Sequence, residues 1–382
     1  MRVLVVTPSY PRFIGDYHGR FVQDLCSKLS ERGVELKVLA PRSKSCEAYP
    51  SAFEVRRFPY LPQQAFELLP ERTMKGAPVK HLAQLPPYLL SAFINIAAEH
   101  ASIVHAHLAI PLGFVATFNP RRAPLVVTCH GSDCTLPYTD PAYRPFATRT
   151  LKKADRVVTV SNFLRRLAIR LGASPEKVEV IYLGVDADKF RPPEDRAYLK
   201  ERFGIPAHRL VVGNLGRLVP EKRVEDLIRA AAIVSKEIDA QFIVGGDGPQ
   251  RKHLEKLAGR LGVENVSFLG EVRDAAGFHR LCDVFVLASV REGLSLSLQE
   301  AMATGCVPVA VNGFGCPELV SEENNGYLFQ PGDAEGLAGK ILRASSNLDL
   351  GMKARKTIEE RFDLGKNAKR YVELYHELAS DR

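Results

Sequence analysis

Two stretches in the second half of this 382-residue chain combine side chains that bind phosphate with side chains that bind hydroxyls. The first, Gly216-Arg217-Leu218-Val219-Pro220-Glu221-Lys222-Arg223, directly follows the apolar run 210–215. Glycine lets a backbone approach a ligand closely. Arg217 offers a fork for two phosphate oxygens, and Lys222 a compact charge. A solvated basic turn would carry the same residues, so this stretch alone decides nothing. The second is Arg291-Glu292-Gly293-Leu294-Ser295-Leu296-Ser297-Leu298-Gln299-Glu300-Ala301-Met302. From about Ser297 its composition is helical, and either Ser295 or Ser297 suits the N-cap. The N–H groups of Gly293, Leu294 and Ser295 would then lie near a helix N-terminus, where anionic oxygen is favoured. Glu292 and Glu300 would repel a phosphate that they touched. They are expected instead to accept from hydroxyls on either side of it.

Histidines form a third group. His105 and His107 share one side of a strand, and Cys129, His130 and Cys134 follow. Their spacing does not match a structural zinc site, so no metal is expected. His130, in His130-Gly131-Ser132-Asp133, suits either acid–base work near neutral pH or a hydrogen bond to a ligand.

The elements that must position these groups repeat a βαβ rhythm. Strands are expected at 3–7, 35–40, 103–106, 125–128, 156–160 and 178–182, with helices at 20–32 and 82–100. Pro86-Pro87 should kink or split the second helix. Residues 189–208, with Pro192-Pro193 and alternating charge, read as a linker. The rhythm then restarts, with strands at 210–215, 240–245, 266–269, 284–288 and 307–311. The expected fold is α/β: two Rossmann-like, doubly wound domains facing a central cleft. Their bounds are 1–188 and 209–364, with a final helix over 365–382 belonging to the first.

Composition narrows the setting. Hydrophobic content of 46% and charged content of 25% are ordinary for a soluble globular protein. Seven scattered cysteines without a CxxC pair point to reduced thiols in a cytoplasm. The apolar start 3–6 is broken by Pro8 and Pro11, too soon for a signal peptide. Residues 1–190 hold 25 Lys and Arg against 16 Asp and Glu, so the net charge of +8 resides in the first half. Those cations are dispersed and no nucleic-acid module accompanies them, so no nucleic acid is expected as partner. An anionic membrane surface or a phosphorylated lipid acceptor fits them, as does a merely solvated surface.

In order and spacing these motifs resemble the retaining glycosyltransferases of family 4, which have the GT-B fold. The likeness runs through nearly the whole chain. It includes Gly216-Arg217-x3-Glu221-Lys222, Gly245-Gly246-Asp247-Gly248-Pro249, the Glu292-x7-Glu300 pair, His105-Ala106-His107, His130-Gly131-Ser132-Asp133 and Gly184-Val185-Asp186. The resemblance implies a transferase that moves a hexose from a UDP- or GDP-sugar to a glycan or polyprenyl-linked acceptor in cell-surface polysaccharide synthesis. It needs neither cofactor nor metal. Arg217 and Lys222, beside Gly216, would stabilise the departing diphosphate. Glu292 would hold the sugar near the amides of Gly293, Leu294 and Ser295, and Glu300 the ribose. Val272 would read the nucleobase through its backbone. Gly19 would let the first loop approach phosphate or acceptor. His130 would lie across the cleft by the sugar, hydrogen-bonding it in preference to acting as base. Where the family often has Gly-Phe-Gly, this chain has Gly293-Leu294-Ser295, which leaves the backbone donors in place. A GT-B-shaped nucleotide-sugar epimerase and a non-catalytic nucleotide-sugar-binding subunit are the alternatives.

Overall fold

Short runs rich in Val, Ile and Leu become strands covered on both faces, the pattern of a parallel sheet. The computed structural model describes residues 1–43, 46, 51–60 and 84–380. Its first sheet contains β1 (Arg2–Val6), β2 (Glu35–Pro41), β3 (Glu54–Phe58), β4 (Ile103–His107), β5 (Leu125–Cys129), β6 (Arg156–Thr159) and β7 (Val178–Val180). The order is β3-β2-β1-β4-β5-β6-β7 and all neighbours are parallel. A second sheet contains β8 (Leu210–Leu215), β9 (Ala240–Gly245), β10 (Val266–Gly270), β11 (Val284–Leu287), β12 (Val307–Val311) and β13 (Tyr327–Phe329). Its order, β10-β9-β8-β11-β12-β13, is again all parallel. In each sheet the strand order reverses beside the first strand, between β1 and β4 and between β8 and β11. Open α/β sheets bind ligands at the carboxyl ends flanking such a reversal.

The chain divides into two units, Met1–Leu183 with Leu364–Arg382, and Gly184–Asp363. The last helix, Leu364–Ser380, packs in the first unit through Tyr371, Leu374, Tyr375 and Leu378. These side chains join Leu25 and Leu29 of the helix Arg20–Ser30 in one buried cluster. Burying a side chain of this size stabilises by about 1.5–3 kcal/mol, enough to fix the helix there.

Three expectations are corrected. Residues 189–208 are no linker: they carry the helix Arg196–Arg202 and pack on the second unit. Lys200 is only 5% exposed because Asp283 pairs with it at 2.6 Å and the Arg209 carbonyl accepts from it at 3.0 Å. Arg196 donates to the carbonyls of Arg280 and Thr304. Pro86 and Pro87 neither kink nor split a helix but open one, Leu85–Ala98. Its first turn needs no N–H from them. Residues 82 and 83, where that helix was expected to start, lie outside the described residues. The strands β3 and β13 are additional to those expected. β3 is an edge strand that mixes the charged Glu54, Arg56 and Arg57 with the apolar Val55 and Phe58, unlike the buried runs beside it.

Candidate active site

Both stretches singled out in the sequence follow the strands that flank the second reversal, β8 and β11. After β8, the Gly216 N–H donates to the Gly245 carbonyl at 3.0 Å. Gly246 has φ +112, and a Cβ on it would stand 2.0 Å from the Gly216 carbonyl oxygen. A Cβ on Gly248 would stand 2.4 Å from the Leu218 carbonyl oxygen. The glycines after β9 thus allow two loops to touch backbone to backbone, which fixes the path of Gly216 to Leu218. The chain then turns through Pro220–Lys222. The Glu221 carbonyl accepts from the Val290 N–H at 2.9 Å and from the Ser289 hydroxyl at 3.3 Å.

That junction brings the Lys222 ammonium onto the Glu292 carboxylate. Arg217 is exposed beside them in sequence. Behind Glu292, a Cβ on Gly315 would lie 2.0 Å from the Gly293 carbonyl oxygen, so the loop after β12 supports Gly293 closely. The following helix, Leu296–Ala303, is capped by Ser295, whose hydroxyl accepts from the Leu298 N–H at 3.3 Å. Ser297, the other candidate cap, donates instead to the Leu215 carbonyl at 3.0 Å and ties the helix to β8. Glu300 projects from this helix with its carboxylate 3.5 Å from His279 Nε2. His279 is fully buried on the helix Ala275–Leu281. Nothing in its sequence neighbourhood distinguishes it from a core histidine. Val272, after β10, lies against Gly245: a Cβ there would stand 2.8 Å from Val272 Cγ2. One cation, one carboxylate and a capped helix end therefore meet at the β8–β11 reversal. The chemistry of such a place suits a phosphorylated ligand that also carries hydroxyls.

The profile described as glycosyl transferases group 1 matches residues 195–371. The profile described as Glycosyltransferase Family 4 matches residues 18–189. The chain belongs to the family 4 glycosyltransferases. Like its family, it is an enzyme of the hexosyltransferase kind. It is 29% identical over 311 residues to N-acetyl-alpha-D-glucosaminyl L-malate synthase of Bacillus anthracis, covering 78% of this chain and 81% of that one. It is 28% identical over 366 residues to a GDP-mannose-dependent alpha-(1-6)-phosphatidylinositol monomannoside mannosyltransferase of Mycobacterium tuberculosis, covering 89% and 88%. The solved sucrose-phosphate synthase of Thermosynechococcus elongatus superposes with a TM-score of 0.84 at 20% identity, over 100% of both chains. The fold is GT-B.

In this family 4 chain, the first unit holds the remaining expected residues. Gly19 has φ +68, and a Cβ on it would stand 2.3 Å from the Ser9 carbonyl oxygen, a closeness only glycine permits. The loop leading to it is organised by buried Asp16. This carboxylate accepts from the Arg12 backbone at 3.0 Å, Arg12 Nε at 2.6 Å and the His18 backbone at 3.1 Å, and pairs with His18 Nδ1 at 2.9 Å. Burial pushes its pKa up, but these bonds outweigh burial and hold it well below the usual carboxylate range. His130 follows β5 and lies against Phe21, from the helix that Gly19 begins, with the rings tilted and 4.6 Å between centroids. Its Nε2 lies 2.9 Å from His107 Nδ1. Burial of the ring holds its pKa down to about 3, so it is neutral near neutral pH.

Cys129, Asp133 and Cys134 bring three potential ligand atoms within 4.8 Å of one another, the one such group among the described residues. The Asp133 carboxylate already accepts the backbone N–H groups of Ala109, His130 and Gly131 at 2.9–3.1 Å. The contact with Cys134, and then burial, push the Cys129 thiol pKa well up. The group shapes the loop that carries His130.

Proposed function

We propose that this family 4 enzyme is a retaining, metal-independent glycosyltransferase. It moves a hexose from a nucleotide-diphosphate sugar to a glycan or lipid-linked acceptor in cell-surface polysaccharide biosynthesis. The observation that carries the reading is the Lys222–Glu292 pair beside the Ser295-capped helix. On donor binding Lys222 exchanges the carboxylate for the diphosphate, and Arg217 joins it. Two fixed cations then neutralise the leaving group, the work a divalent metal does elsewhere. Glu292, released, accepts from hydroxyls of the sugar, and Glu300 from those of the ribose. The Val272 backbone reads the base, uridine or guanosine. The Mycobacterium relative, by its name, uses GDP-mannose. His130 is neutral and donates or accepts a hydrogen bond to the substrate. With a pKa far below the working pH it is a poor general base. The acceptor proton passes instead to the departing phosphate oxygen, on the same face from which the acceptor enters.

The test offers UDP- and GDP-sugars with lipid-linked glycan acceptors, and follows the anomeric configuration of the product by NMR. Transfer with retention is expected, abolished in Lys222→Ala and in Glu300→Ala while both stay folded. Full activity in both variants, or an inverted product, overturns the reading.

A further inference from the structure

Glu300 stands on the helix Leu296–Ala303, and a buried ring backs its carboxylate. His279 Nε2 lies 3.5 Å from Glu300 Oε2, and among the described residues His279 is the one ion-pair partner of that carboxylate. The separation is that of an ion-pair contact, longer than the ~3 Å of a hydrogen bond. The ring is 0% exposed, and neither of its nitrogens has a hydrogen-bond partner among the described residues. Three aromatic rings pack on it edge to face, Phe285 at 5.0 Å, Phe278 at 5.6 Å and Phe190 at 6.3 Å between centroids. Its own carbonyl accepts from the Cys282 N–H and the Cys306 thiol, each at 3.1 Å.

Packing alone would favour a fourth phenylalanine at this position. A buried imidazole takes two polar atoms out of water and gains no full bond there, which is unfavourable. Where its proton sits follows from the one acceptor nearby, since an ionised carboxylate only accepts. With a single ring proton, the N–H belongs on Nε2, where Glu300 faces it; on Nδ1 it would have no acceptor. With two ring protons, Nε2 carries one as well. Either way Nε2 presents an N–H to the carboxylate. The caged ring is the fixed member of the pair, and Glu300, 17% exposed, is the member with room to move.

We propose that His279 is a positioning residue for the donor nucleotide. Its Nε2–H holds Oε2 of Glu300 against the core and presents Oε1 to the ribose hydroxyls, and the contact closes to a full hydrogen bond when they arrive. The proposal rests on the reading of Glu300 as the ribose contact and deepens it. Selection for ribose over a sugar lacking those hydroxyls then depends on a residue that never touches the nucleotide.

The test measures, by calorimetry on the full chain, the binding of UDP and GDP and of their 2′,3′-dideoxy forms. Whichever ribonucleotide the enzyme takes should bind at least about tenfold more tightly than its dideoxy form, the worth of a hydrogen bond to a charged group. His279→Phe suits the aromatic cage and should unfold at or above the wild-type temperature. Its preference for ribose should nevertheless shrink about threefold or more, with binding of the dideoxy form unchanged. His279→Gln restores an N–H near the Nε2 position and should recover most of the preference. Equal weakening of both nucleotides in His279→Phe marks a packing role and overturns the proposal, as does a preference as large as the wild type's. The underlying reading fails separately, if Glu300→Ala keeps the preference or the wild type has none. Long-range 1H–15N NMR of the protein with 15N-labelled histidine checks the pair without nucleotide, His279→Phe assigning the signal. A proton on His279 Nε2 is expected, and a bare Nε2 overturns the proposal.

Discussion

Lys222 and Glu292 form an ion pair across 70 residues of sequence, one from the loop after β8 and the other from the loop after β11. On the proposed function the pair is a placeholder: the cation has a partner before the diphosphate arrives and must give it up. Removing the carboxylate should therefore help the nucleotide and harm the reaction. Glu292→Gln is expected to bind free nucleoside diphosphate several-fold more tightly, because its lysine has no competing anion. It should also lower kcat by about 100-fold through lost sugar contacts. Titration calorimetry and steady-state rates measure the two effects. Weaker nucleotide binding would count against the exchange.

Gly246 should be the least replaceable glycine near this site. Its φ of +112 is unfavourable for other residues, and a Cβ would meet the Gly216 carbonyl at 2.0 Å, backbone that cannot yield cheaply. Gly246→Ala is expected to cost about 2–4 kcal/mol and to weaken donor binding by moving Arg217. Gly259 is the control, in the helix Arg251–Arg260 with nothing within 4 Å of an added Cβ. Gly259→Ala should gain about 0.5–1 kcal/mol. Denaturant curves for the two variants would show opposite shifts; similar ones would remove the steric account.

What the sequence reveals and hides follows the range of each interaction. Arg217, Lys222, Glu292 and Glu300 are legible because each stands in a stretch marked locally by glycine, a strand end or a capping serine. The parallel sheets are legible because buried strands read as unbroken apolar runs. β3 escapes because an edge strand mixes charge with apolar residues. Residues 189–208 escape because alternating charge suggests solvent, whereas Lys200 is neutralised by Asp283 from β11's own approach. His279 behind Glu300, and the bond between His107 and His130, join different elements. No spacing within one element encodes such pairs.

The buried histidines predict a fold that weakens in mild acid. Unfolded, these rings protonate near pH 6.5. Folded, burial first of all, and then the neighbouring ring, lowers His105 to about 3 and moves His107 well below its ordinary value. Between those limits the unfolded chain binds more protons, so stability is complete above about pH 6.5 and falls as pH falls toward 3. Each of the two should contribute a loss on the order of 1–2 kcal/mol from about pH 7 to about pH 5. Asp16, depressed in the other pKa range, acts only below about pH 4 and does not confuse this window. Urea unfolding at several pH values reads the slope, and a flat profile would contradict it.

The last prediction concerns where the acceptor is met. The first half carries the basic surplus, 25 Lys and Arg against 16 Asp and Glu over residues 1–190. On the helix Leu85–Ala98, Leu90 and Ile94 are one turn apart and 60% and 56% exposed. No helix among the described residues is long and apolar enough to cross a membrane. Exposed apolar side chains, together with a net basic surplus over the first half, would let the enzyme rest on anionic lipid, which we propose is the inner face of the plasma membrane. The protein should bind vesicles containing anionic phospholipid at about 50 mM salt and largely leave them at about 500 mM, as screening shortens the reach of its charges. Replacing Leu90 and Ile94 together by Glu should weaken binding severalfold while transfer to a soluble acceptor is unchanged. Absence of binding at low salt would remove the membrane from the proposal, and binding untouched by the double variant would move the contact off this helix.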